Sequence, residues 1–410
     1  MFGSATLTLL TLLLLVSLLA HQTPLFLLSL GLLLAAGLSR VWERYCLTGI
    51  EYRRHFSRHH AAFGETIELE IEIVNRKILP LAWLEIEDEI PRDLPPARGK
   101  VYASHKPMRA LLSSLIALRP YERVRRHYPI PCVVRGEHLF GPVRLRSGDL
   151  FGLVSREMVR EETETLVVYP RVVPLTALGL PAQQPLGDRR TQSWLFEDPS
   201  RLAGLREHRP GDSLRRIHWA ASAKTQRLQV KVFEPTTVHQ LAIFLNVKST
   251  PGGWWGLDYD PDALELAIAT TASVSAWGLG EGYQVGLATN GMHRFGRFDV
   301  GVAPSSDPAH LPRVLDALAR LQPIAVRPFE QTLAQDTHRL GYGATVVVVS
   351  AVLSAPVVAQ LLALHRRGYP VTLVYTGRQS TAVSLDGVVI RRVGPPEDWR
   401  HLPTLSLASE

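Results

Sequence analysis

The residues best suited to do chemistry are the basic side chains between positions 201 and 231. Eight lysines and arginines stand there against two acidic residues, which accounts for six of the seven net positive charges of the chain. Guanidinium groups bind carboxylates and phosphates through paired hydrogen bonds. The stretch therefore predicts either docking between two domains of the chain or the binding of a partner protein, and both alternatives stay open. Nucleic acid is not expected, because the patch is short and has no recognition-motif spacing.

A turn interrupts this basic stretch at Arg209-Pro210-Gly211-Asp212. Proline followed by glycine suits the two central positions of a type II turn. Asp212 is then expected to cap a short helix over 213–223. We expect one structural unit that joins two domains, with its arginines reaching carboxylates across the junction. The candidate docking or partner-binding residues are Arg206, Glu207, Arg209, Pro210, Gly211, Asp212, Arg215, Ile217, Trp219 and Lys224.

Polar residues at the ends of predicted strands are the second group that could do chemistry. Asn246, Lys248 and Thr250 follow one apolar strand, and Ser350 ends another. Ligands of open α/β sheets bind at such carboxyl ends, but neither sequence is a glycine-rich phosphate loop. The glycines of 280–286 follow a helix and precede a strand. That order predicts a helix C-cap and a turn rather than a dinucleotide site.

No catalytic set stands out in the sequence. It has no Gly-x-Ser-x-Gly elbow for a serine nucleophile and no His-x-x-x-His pair on a predicted helix for a metal. Asp258, Asp260 and Asp262 lie in a loop bounded by glycine and proline, where a turn and a helix cap are expected. We therefore predict a non-enzymatic protein without a cofactor. The alternative is a hydrolase with an unfamiliar site at the carboxyl edge of an α/β sheet.

An α/β domain over 238–410 would position the strand-end residues. Strands alternate with helices there at a spacing that predicts a doubly wound, mostly parallel sheet. The continuous valine, isoleucine and leucine runs fit strands that helices cover on both faces. The strands are expected at 239–247, 283–289, 344–352 and 370–376, and the helices at 261–279, 307–321 and 355–367.

A small antiparallel β-sandwich is expected over 43–170. Residues 67–73 alternate isoleucine or leucine with glutamate, which is the pattern of a strand with one buried and one wet face. Further strands are expected near 81–86, 128–134 and 166–169, with glycine turns between them. The segment 171–237 would then be a proline-rich linker followed by the basic signature stretch.

The first 42 residues are predicted to form a transmembrane helical hairpin. Residues 1–20 carry no charged side chain, and 25–39 are again uncharged up to Arg40. A bilayer core takes about 20 apolar residues per helix. A cleaved signal peptide is the alternative, but no lysine or arginine precedes the first run. Arginines directly after the second run predict cytoplasmic soluble domains.

Length and composition exclude several classes of protein. The 410 residues suffice for two or three domains. A hydrophobic share of 46% and a charged share of 20% exclude a disordered or fibrous chain. Two cysteines exclude a disulfide scaffold and an all-cysteine zinc site.

Several longer motifs link this chain to a known family. The run from Gly204 to Lys224 and its continuation over 230–234 have the form of a family signature. Arg135-Gly136, Phe140-Gly141-Pro142 and Asp149 to Leu153 precede it. With these motifs the sequence resembles the bacterial domain-of-unknown-function family fifty-eight, over nearly the whole chain and including the apolar N-terminal part.

The resemblance implies a von Willebrand factor A-like domain at the C-terminal end. It also implies a MoxR-type AAA+ ATPase as partner, in the assembly or maturation of protein complexes at the cell envelope. Such domains normally hold Mg²⁺ through Asp-x-Ser-x-Ser after the first strand. Here Asn246, Lys248 and Thr250 occupy those degenerate positions, and an ammonium at the second one repels a divalent ion, so no metal is expected. The prediction is a non-enzymatic scaffold in the bacterial inner membrane, in contact with the lipid bilayer and with envelope-associated proteins.

Overall fold

The computed structural model describes residues 4–149, 154–175, 197–209, 212–235, 240–252, 259–293, 300–338, 340–341, 344–378, 385–402, 404–405 and 408–409. The chain divides into two compact units, Met1–Arg171 and Val172–Glu410. Each unit contains a hydrophobic core of its own.

Two apolar helices open the first unit and contact each other. Helix α1 spans Ser4–Leu19 and helix α2 spans Thr23–Tyr45. Ser29 is fully buried, and its hydroxyl donates to the carbonyl of Phe26 at 2.9 Å, so this polar group is satisfied within α2. Helix α2 is long and apolar enough to cross a membrane, whereas the apolar part of α1 is shorter.

A lysine closes the C-terminal end of α2. The ammonium of Lys77 donates to the carbonyls of Tyr45 and Thr48, both at 2.8 Å, and also to that of Cys46. The last carbonyls of a helix have no partner within the helix and carry the negative end of its dipole. Burial lowers the pKa of Lys77 to about 8. The helix is thereby fastened to the β-structure that follows it.

The remainder of the first unit is β-structure built around one core. Its sheets have the orders β1-β3-β7, β10-β9-β4-β6-β5 and β2-β11-β8. The pairs are antiparallel except for the parallel contact of β2 with β11. The strands are β1 Ile50–Phe56, β2 His60–Ala61, β3 Thr66–Asn75, β4 Leu81–Pro91, β5 Lys100–Ala103, β6 Arg109–Leu118, β7 Arg123–Pro131, β8 Gly136–Phe140, β9 Val143–Gly148, β10 Ser155–Arg160 and β11 Glu164–Val168.

The apolar residues that alternate along β3 lie on one buried face, as predicted. Ile67, Leu69, Ile71 and Ile73 are buried in the core, because successive side chains of a strand point to opposite faces. Glu72 lies on the other face and accepts from Arg125 of β7 at 3.0 Å. The predicted strands near 81–86, 128–134 and 166–169 correspond to β4, β7 and β11, with β7 placed further towards the N-terminus than expected.

The motif segment that precedes the signature is partly described. The buried carboxylate of Asp149 accepts from the hydroxyl of Ser39 in α2 at 2.7 Å and from the N–H of Val154 at 3.2 Å. Residues 150–153 of the predicted turn lie outside the described residues. Gly141 has φ +93°, and a Cβ there would meet the carbonyl oxygen of Glu162 at 2.5 Å, so this position requires glycine.

The second unit begins with a hairpin and continues as an α/β domain. The strands are β12 Glu197–Glu207, β13 Gln229–Pro235, β14 Gln240–Leu245, β15 Gln284–Thr289, β16 Gly291–His293, β17 Gly301–Ser305, β18 Leu321–Ala325, β19 Thr345–Ser350, β20 Val371–Tyr375, β21 Val389–Arg392 and β22 Ala408–Ser409. The helices are α3 Trp219–Thr225, α4 Pro261–Gly280, α5 His310–Ala319, α6 Phe329–Thr337 and α7 Ala355–Arg366, with 3₁₀ turns at Leu214–Arg216 and Pro396–Asp398.

The main sheet of this unit is doubly wound. Its order is β17-β15-β14-β19-β20-β21-β22, with parallel pairs in the middle and antiparallel pairs at the two edges. The first strand, β14, is central: the chain moves outward to β15 and β17 and then returns to β19 on its other side. A topological switch point therefore lies between β14 and β19, where open α/β sheets bind their ligands. All six residues of β19 are buried, as expected for a strand covered on both faces.

The expected short helix over 213–223 is wrong in its bounds. The chain forms a 3₁₀ turn at Leu214–Arg216 and then helix α3 at Trp219–Thr225. The break falls at Ile217, whose backbone is extended and whose side chain is buried. Ile217 forms a bridge with Val230 of β13, so burial of this side chain overrides continuation of the helix.

Candidate functional site

The basic signature stretch folds as an insertion in the β12–β13 hairpin. Arg206 pairs with Val230 and Glu207 with Gln229 in antiparallel register. The residues between Glu207 and Gln229 contain the 3₁₀ turn and α3. The ladder gives this segment a fixed base, so the position of the insertion is set by backbone hydrogen bonds.

Arg206 and Asp212 brace the start of the insertion. The two guanidinium Nη atoms donate to the two carboxylate oxygens at 2.7 and 2.6 Å, and the N–H of Arg209 donates to the same carboxylate at 2.7 Å. The hydrogen bonds from Arg206 and then from Arg209 hold the pKa of Asp212 at about 2. Charge-assisted bonds of this kind fix geometry well. The arginine therefore reaches a carboxylate within its own hairpin, unlike the expected pairing across a domain junction.

His218 caps α3, which corrects the expectation for Asp212. The Nδ1 atom of His218 accepts from the N–H of Ala221 at 3.1 Å. Asp212 lies seven positions before α3 and is engaged by Arg206 instead. A ring nitrogen can replace the usual oxygen of a capping side chain because the orphan N–H needs only an acceptor.

Ser222 joins α3 to the hairpin, a role that the sequence did not reveal. Its hydroxyl donates to the carbonyl of His218 at 3.0 Å and accepts from the N–H of Gln229 at 2.8 Å. Ser222 is buried together with Ile217. A small polar residue inside a short helix was the only signal, and serines in helices commonly bond back to the preceding turn.

The remaining signature side chains lie mostly at the surface. The indole of Trp219 is 68% exposed and Leu214 is 69% exposed. Arg209 and Lys224 are exposed as well, and Glu207 accepts from Arg227 at 2.8 Å. Pro210, Gly211 and the side chain of Arg215 lie outside the described residues. The structure thus brings Arg206 and Asp212 together, buries Ile217, and leaves Trp219 facing solvent.

At the switch point of the sheet, the buried side chains of Asn246, Asn290 and Ser350 form one hydrogen-bonded network. Asn246 follows β14, Asn290 follows β15 and Ser350 ends β19. The amide nitrogen of Asn246 donates to the hydroxyl of Ser350, and that of Asn290 donates to the amide oxygen of Asn246, both at 3.0 Å. The Ser350 hydroxyl itself donates to the carbonyl of Val352 at 2.6 Å. The three side chains satisfy one another and contain no carboxylate.

These residues do not fit the magnesium ion that the family resemblance implies. The amide oxygen of Asn246 already accepts from Asn290 and from the N–H of Lys248 at 3.1 Å. The Thr250 hydroxyl points to the carbonyl of Gly252 at 3.4 Å. Hard divalent ions need several free oxygen ligands, usually with a carboxylate among them. The described residues contain no cluster of three or more histidine, cysteine, aspartate or glutamate side chains that could hold a metal ion.

An arginine neutralises the carboxylates near this edge. Arg378, which follows β20, binds Asp260 through Nε and also through Nη2 at 3.3 Å. It donates to Glu397 at 2.7 Å and lies 3.6 Å from a carboxylate oxygen of Asp262. The bond to Arg378 lowers the pKa of Asp260. Asp260 caps α4 as predicted, since it accepts from the N–H groups of Asp262 and Ala263. Asp258 lies outside the described residues.

Comparisons with known proteins agree with the signature. The family model described as "Protein of unknown function DUF58" matches residues 204–385. The "Uncharacterized protein YeaD" of Bacillus subtilis (strain 168) is 27% identical over 257 residues. That alignment covers 61% of this chain and spans 58% of the length of this curated relative.

Solved structures give weak likenesses. A CARDB domain from Pyrococcus furiosus is 11% identical with a TM-score of 0.20, covering 29% of this chain and 84% of that one. A beta-glucosidase from Listeria innocua is 13% identical with a TM-score of 0.19, covering 29% and 16% of the two chains. At these scores neither likeness carries an argument. The family match and the signature agree, and the segment 204–385 of this chain belongs to the DUF58 family.

Proposed function

We propose that this chain is a non-enzymatic, membrane-anchored interaction protein that binds a partner protein through its β12–β13 insertion. The observation that carries the proposal is the exposure of Trp219 and Leu214 on a braced, basic segment. Tryptophan and arginine are the residues that most often dominate the energy of protein interfaces. A large apolar side chain held out in solvent by a fixed scaffold is suited to insert into a pocket of a partner.

The N-terminal helices support the membrane anchor. Leu12 of α1 and Leu28, Leu34 and Leu38 of α2 are all more than half exposed. In a soluble core helix such residues would be covered, whereas lipid tails would cover them in a bilayer. Arg40 and Arg44 lie near the C-terminal end of α2, and basic flanks favour the cytoplasmic side. In this proposal α1 and α2 form a hairpin in the bacterial inner membrane, and the β-structure of the first unit and the whole second unit are in the cytoplasm.

The α/β sheet supports a von Willebrand factor A-like domain of a metal-independent kind. The central first strand and the antiparallel third strand, β17, suit that architecture. The neutral network of Asn246, Asn290 and Ser350 takes the place of a metal site. In this proposal partner binding does not pass through a metal at the sheet edge and uses the basic insertion instead.

The partner proposed is a MoxR-type AAA+ ATPase, as the family resemblance implies, acting in the assembly or maturation of envelope protein complexes. The chemistry of the insertion is compatible with an acidic surface that contains an apolar pocket. Arg209 and Lys224 are exposed on the same insertion and would meet carboxylates at the rim of such an interface.

The test is a binding titration with the full chain in mild detergent and a purified MoxR-type ATPase from the same bacterium. Trp219→Ala combined with Leu214→Ala is expected to weaken binding about tenfold or more, as the loss of an interface anchor does. Tyr121→Ala removes an equally exposed aromatic side chain (69%) from the first unit and serves as the matched control. Equal affinities of the double variant and the control would contradict the proposal, as would the absence of binding by the unmodified chain.

The orientation is tested separately with reporters fused after Glu410. A reporter that is active only in the cytoplasm should work, and one that is active only in the periplasm should not. Removal of residues 1–42 should release the protein from the membrane fraction. A periplasmic signal at the C-terminus would overturn the topology and leave the binding titration to be interpreted on its own.

A further inference from the structure

A groove of ≈ 510 Å³ opens in the first unit between the β5–β6 pair and β7. β5 is an edge strand and pairs with β6, and β7 is the edge strand of another sheet and pairs with β3. The four residues of β5 are all exposed. An outer strand presents a row of backbone donors and acceptors to its surroundings. The side chains that matter for the groove are Lys100, Tyr102, Leu115, Arg126, His127 and Tyr128.

One hydrogen bond shows which N–H and C=O groups of β7 point away from β3. The carbonyl of Pro129 accepts from the N–H of Ala97 at 2.8 Å, on the side of β7 that faces away from β3. The direction of the backbone groups alternates along an antiparallel strand. Arg123, Arg125 and His127 therefore point their N–H and C=O groups to the same outer side. Proline at position 129 fits, because a missing N–H costs no ladder bond there.

The charge of the groove is positive and uncompensated. Within the described part of the chain, Lys100 and Arg126 form no ion pair, and no acidic side chain is among the residues that line the groove. Two other arginines of β7 do form ion pairs. Arg125 lies 3.0 Å from Glu72, and Arg123 lies 3.4 Å from the same carboxylate. The exposed Tyr102 adds an apolar surface beside the two cations.

We propose that this groove binds an extended acidic segment of a partner protein, which pairs with the outer edge of β7 as an added strand. Its carboxylates face Lys100 and Arg126, which both line the groove. Backbone hydrogen bonds supply affinity in this mode of recognition, and side chains supply selectivity. A second copy of this chain is a poor occupant, because pairing β7 with itself would place arginines opposite arginines.

This inference goes beyond the proposed function, since it concerns the other compact unit and a different chemistry. The β12–β13 insertion offers an exposed tryptophan to a folded partner, whereas the β7 groove offers backbone groups and cations to an extended chain. Loss of one activity leaves the other measurable on the same protein.

The probe is a fluorescent peptide of about nine residues that alternates glutamate with valine, titrated into the full chain in nonionic detergent. Lys100→Glu combined with Arg126→Glu should weaken its binding about tenfold, because two cations facing carboxylates are reversed. Arg144→Glu with Arg146→Glu on β9 changes the net charge equally at a strand that does not line the groove and should leave binding within about twofold. A peptide with lysine in place of glutamate should bind at least tenfold more weakly than the acidic one.

Strand pairing is tested by two further changes. The acidic peptide with N-methyl groups on alternate residues keeps its charge and loses half of its donors. His127→Pro removes one outward N–H of β7 and preserves the ladder to β3, and circular dichroism checks that this variant is folded. Both changes should weaken binding. Equal binding of the methylated peptide to the unmodified chain would overturn the proposal, as would no binding of the acidic peptide up to about 1 mM or equal loss in the β9 control.

Discussion

Two arginine–aspartate pairs in this chain are both bidentate and have very different surroundings. Arg54 and Asp88 meet in the core of the first unit with a shortest distance of 2.6 Å and side-chain exposures of 3% and 0%. Arg206 and Asp212 meet in the β12–β13 hairpin at the same distance with exposures of 41% and 17%. Both contacts use two guanidinium nitrogens and both carboxylate oxygens. The difference between them is the amount of water that each charge has lost.

The buried pair is satisfied by further groups in the core. The hydroxyl of Tyr52 donates to Asp88 at 2.6 Å, and Arg54 also donates to the carbonyl of Phe140 at 3.2 Å. Burial and the neighbouring carboxylate raise the pKa of Tyr52 far above its usual range, so the phenol stays a donor. Removal of two charges from water is costly, and the cost is offset only when each lone pair and proton finds a partner. The exposed pair has no such requirement, so its role is to hold the insertion rather than to stabilise the unit.

The largest effect is expected for Asp88→Asn. The substitution leaves the guanidinium of Arg54 buried without a counter-charge, which costs about 3–5 kcal/mol in comparable cases. The free energy of unfolding of the first unit, followed by urea denaturation of the full chain in detergent, should fall by that amount. The double variant Arg54→Met/Asp88→Leu should recover most of the loss, since it removes both charges. A loss below about 1 kcal/mol in Asp88→Asn would mean that the buried pair contributes no more to stability than an exposed ion pair does.

An intermediate effect is expected for Asp260→Ala in the second unit. Asp260 combines two roles, because it caps α4 through the N–H groups of Asp262 and Ala263 and also binds Arg378. Loss of an N-cap costs about 1–2 kcal/mol. Arg378→Met keeps the cap and removes the partly exposed ion pairs with Asp260, Asp262 and Glu397, and it should lower the melting temperature less than Asp260→Ala does. Equal losses in the two variants, measured by thermal unfolding, would show that the ion pairs of Arg378 rather than the cap stabilise this region.

The sequence predicted those helices and strands whose residue types differ sharply from those of the flanking segments. The strands at β14, β19 and β20 are short runs of buried apolar residues, and their spacing with α4 and α7 was enough to predict a doubly wound sheet. The alternating residues of β3 predicted a half-buried strand in the same way. In each case the signal is local, because burial selects residue type at every second position or at every position of a strand.

Contacts between distant residues could not be read from the sequence. Arg378 and Asp260 are 118 positions apart, and Lys77 reaches a helix that ends at Tyr45. Helix α6 is polar enough to resemble a loop, and β12 carries no alternation that would separate it from a linker. The bounds of α3 were wrong because Ile217 forms a β-bridge with Val230, a neighbour that only the hairpin provides.

The smallest effect is expected for Asp212→Asn. The ion pair of Asp212 with Arg206 is partly exposed, and such pairs contribute little to stability because water and salt screen them. The melting temperature of the second unit should therefore change much less than that of the first unit does in Asp88→Asn. The informative measurement is the titration of the Asp212 carboxyl carbon by NMR in protein labelled at aspartate.

The pH dependence of the Asp212 contact follows from its lowered pKa. Asp212 titrates at about 2 in the folded hairpin, below its usual 3.8, because the hydrogen bonds from Arg206 and Arg209 favour the charged form. Its contribution is therefore fully present above pH 3.8 and is lost as the pH falls through about 2. Arg206→Met should move the carbon titration of Asp212 upward towards 3.8, while Arg227→Met, which removes the Glu207 pair of the same hairpin, should not. A pKa of Asp212 near 3.8 in the unmodified chain would mean that its contact with Arg206 does not form in solution. The Arg54–Asp88 pair would then have no exposed counterpart with which to be compared.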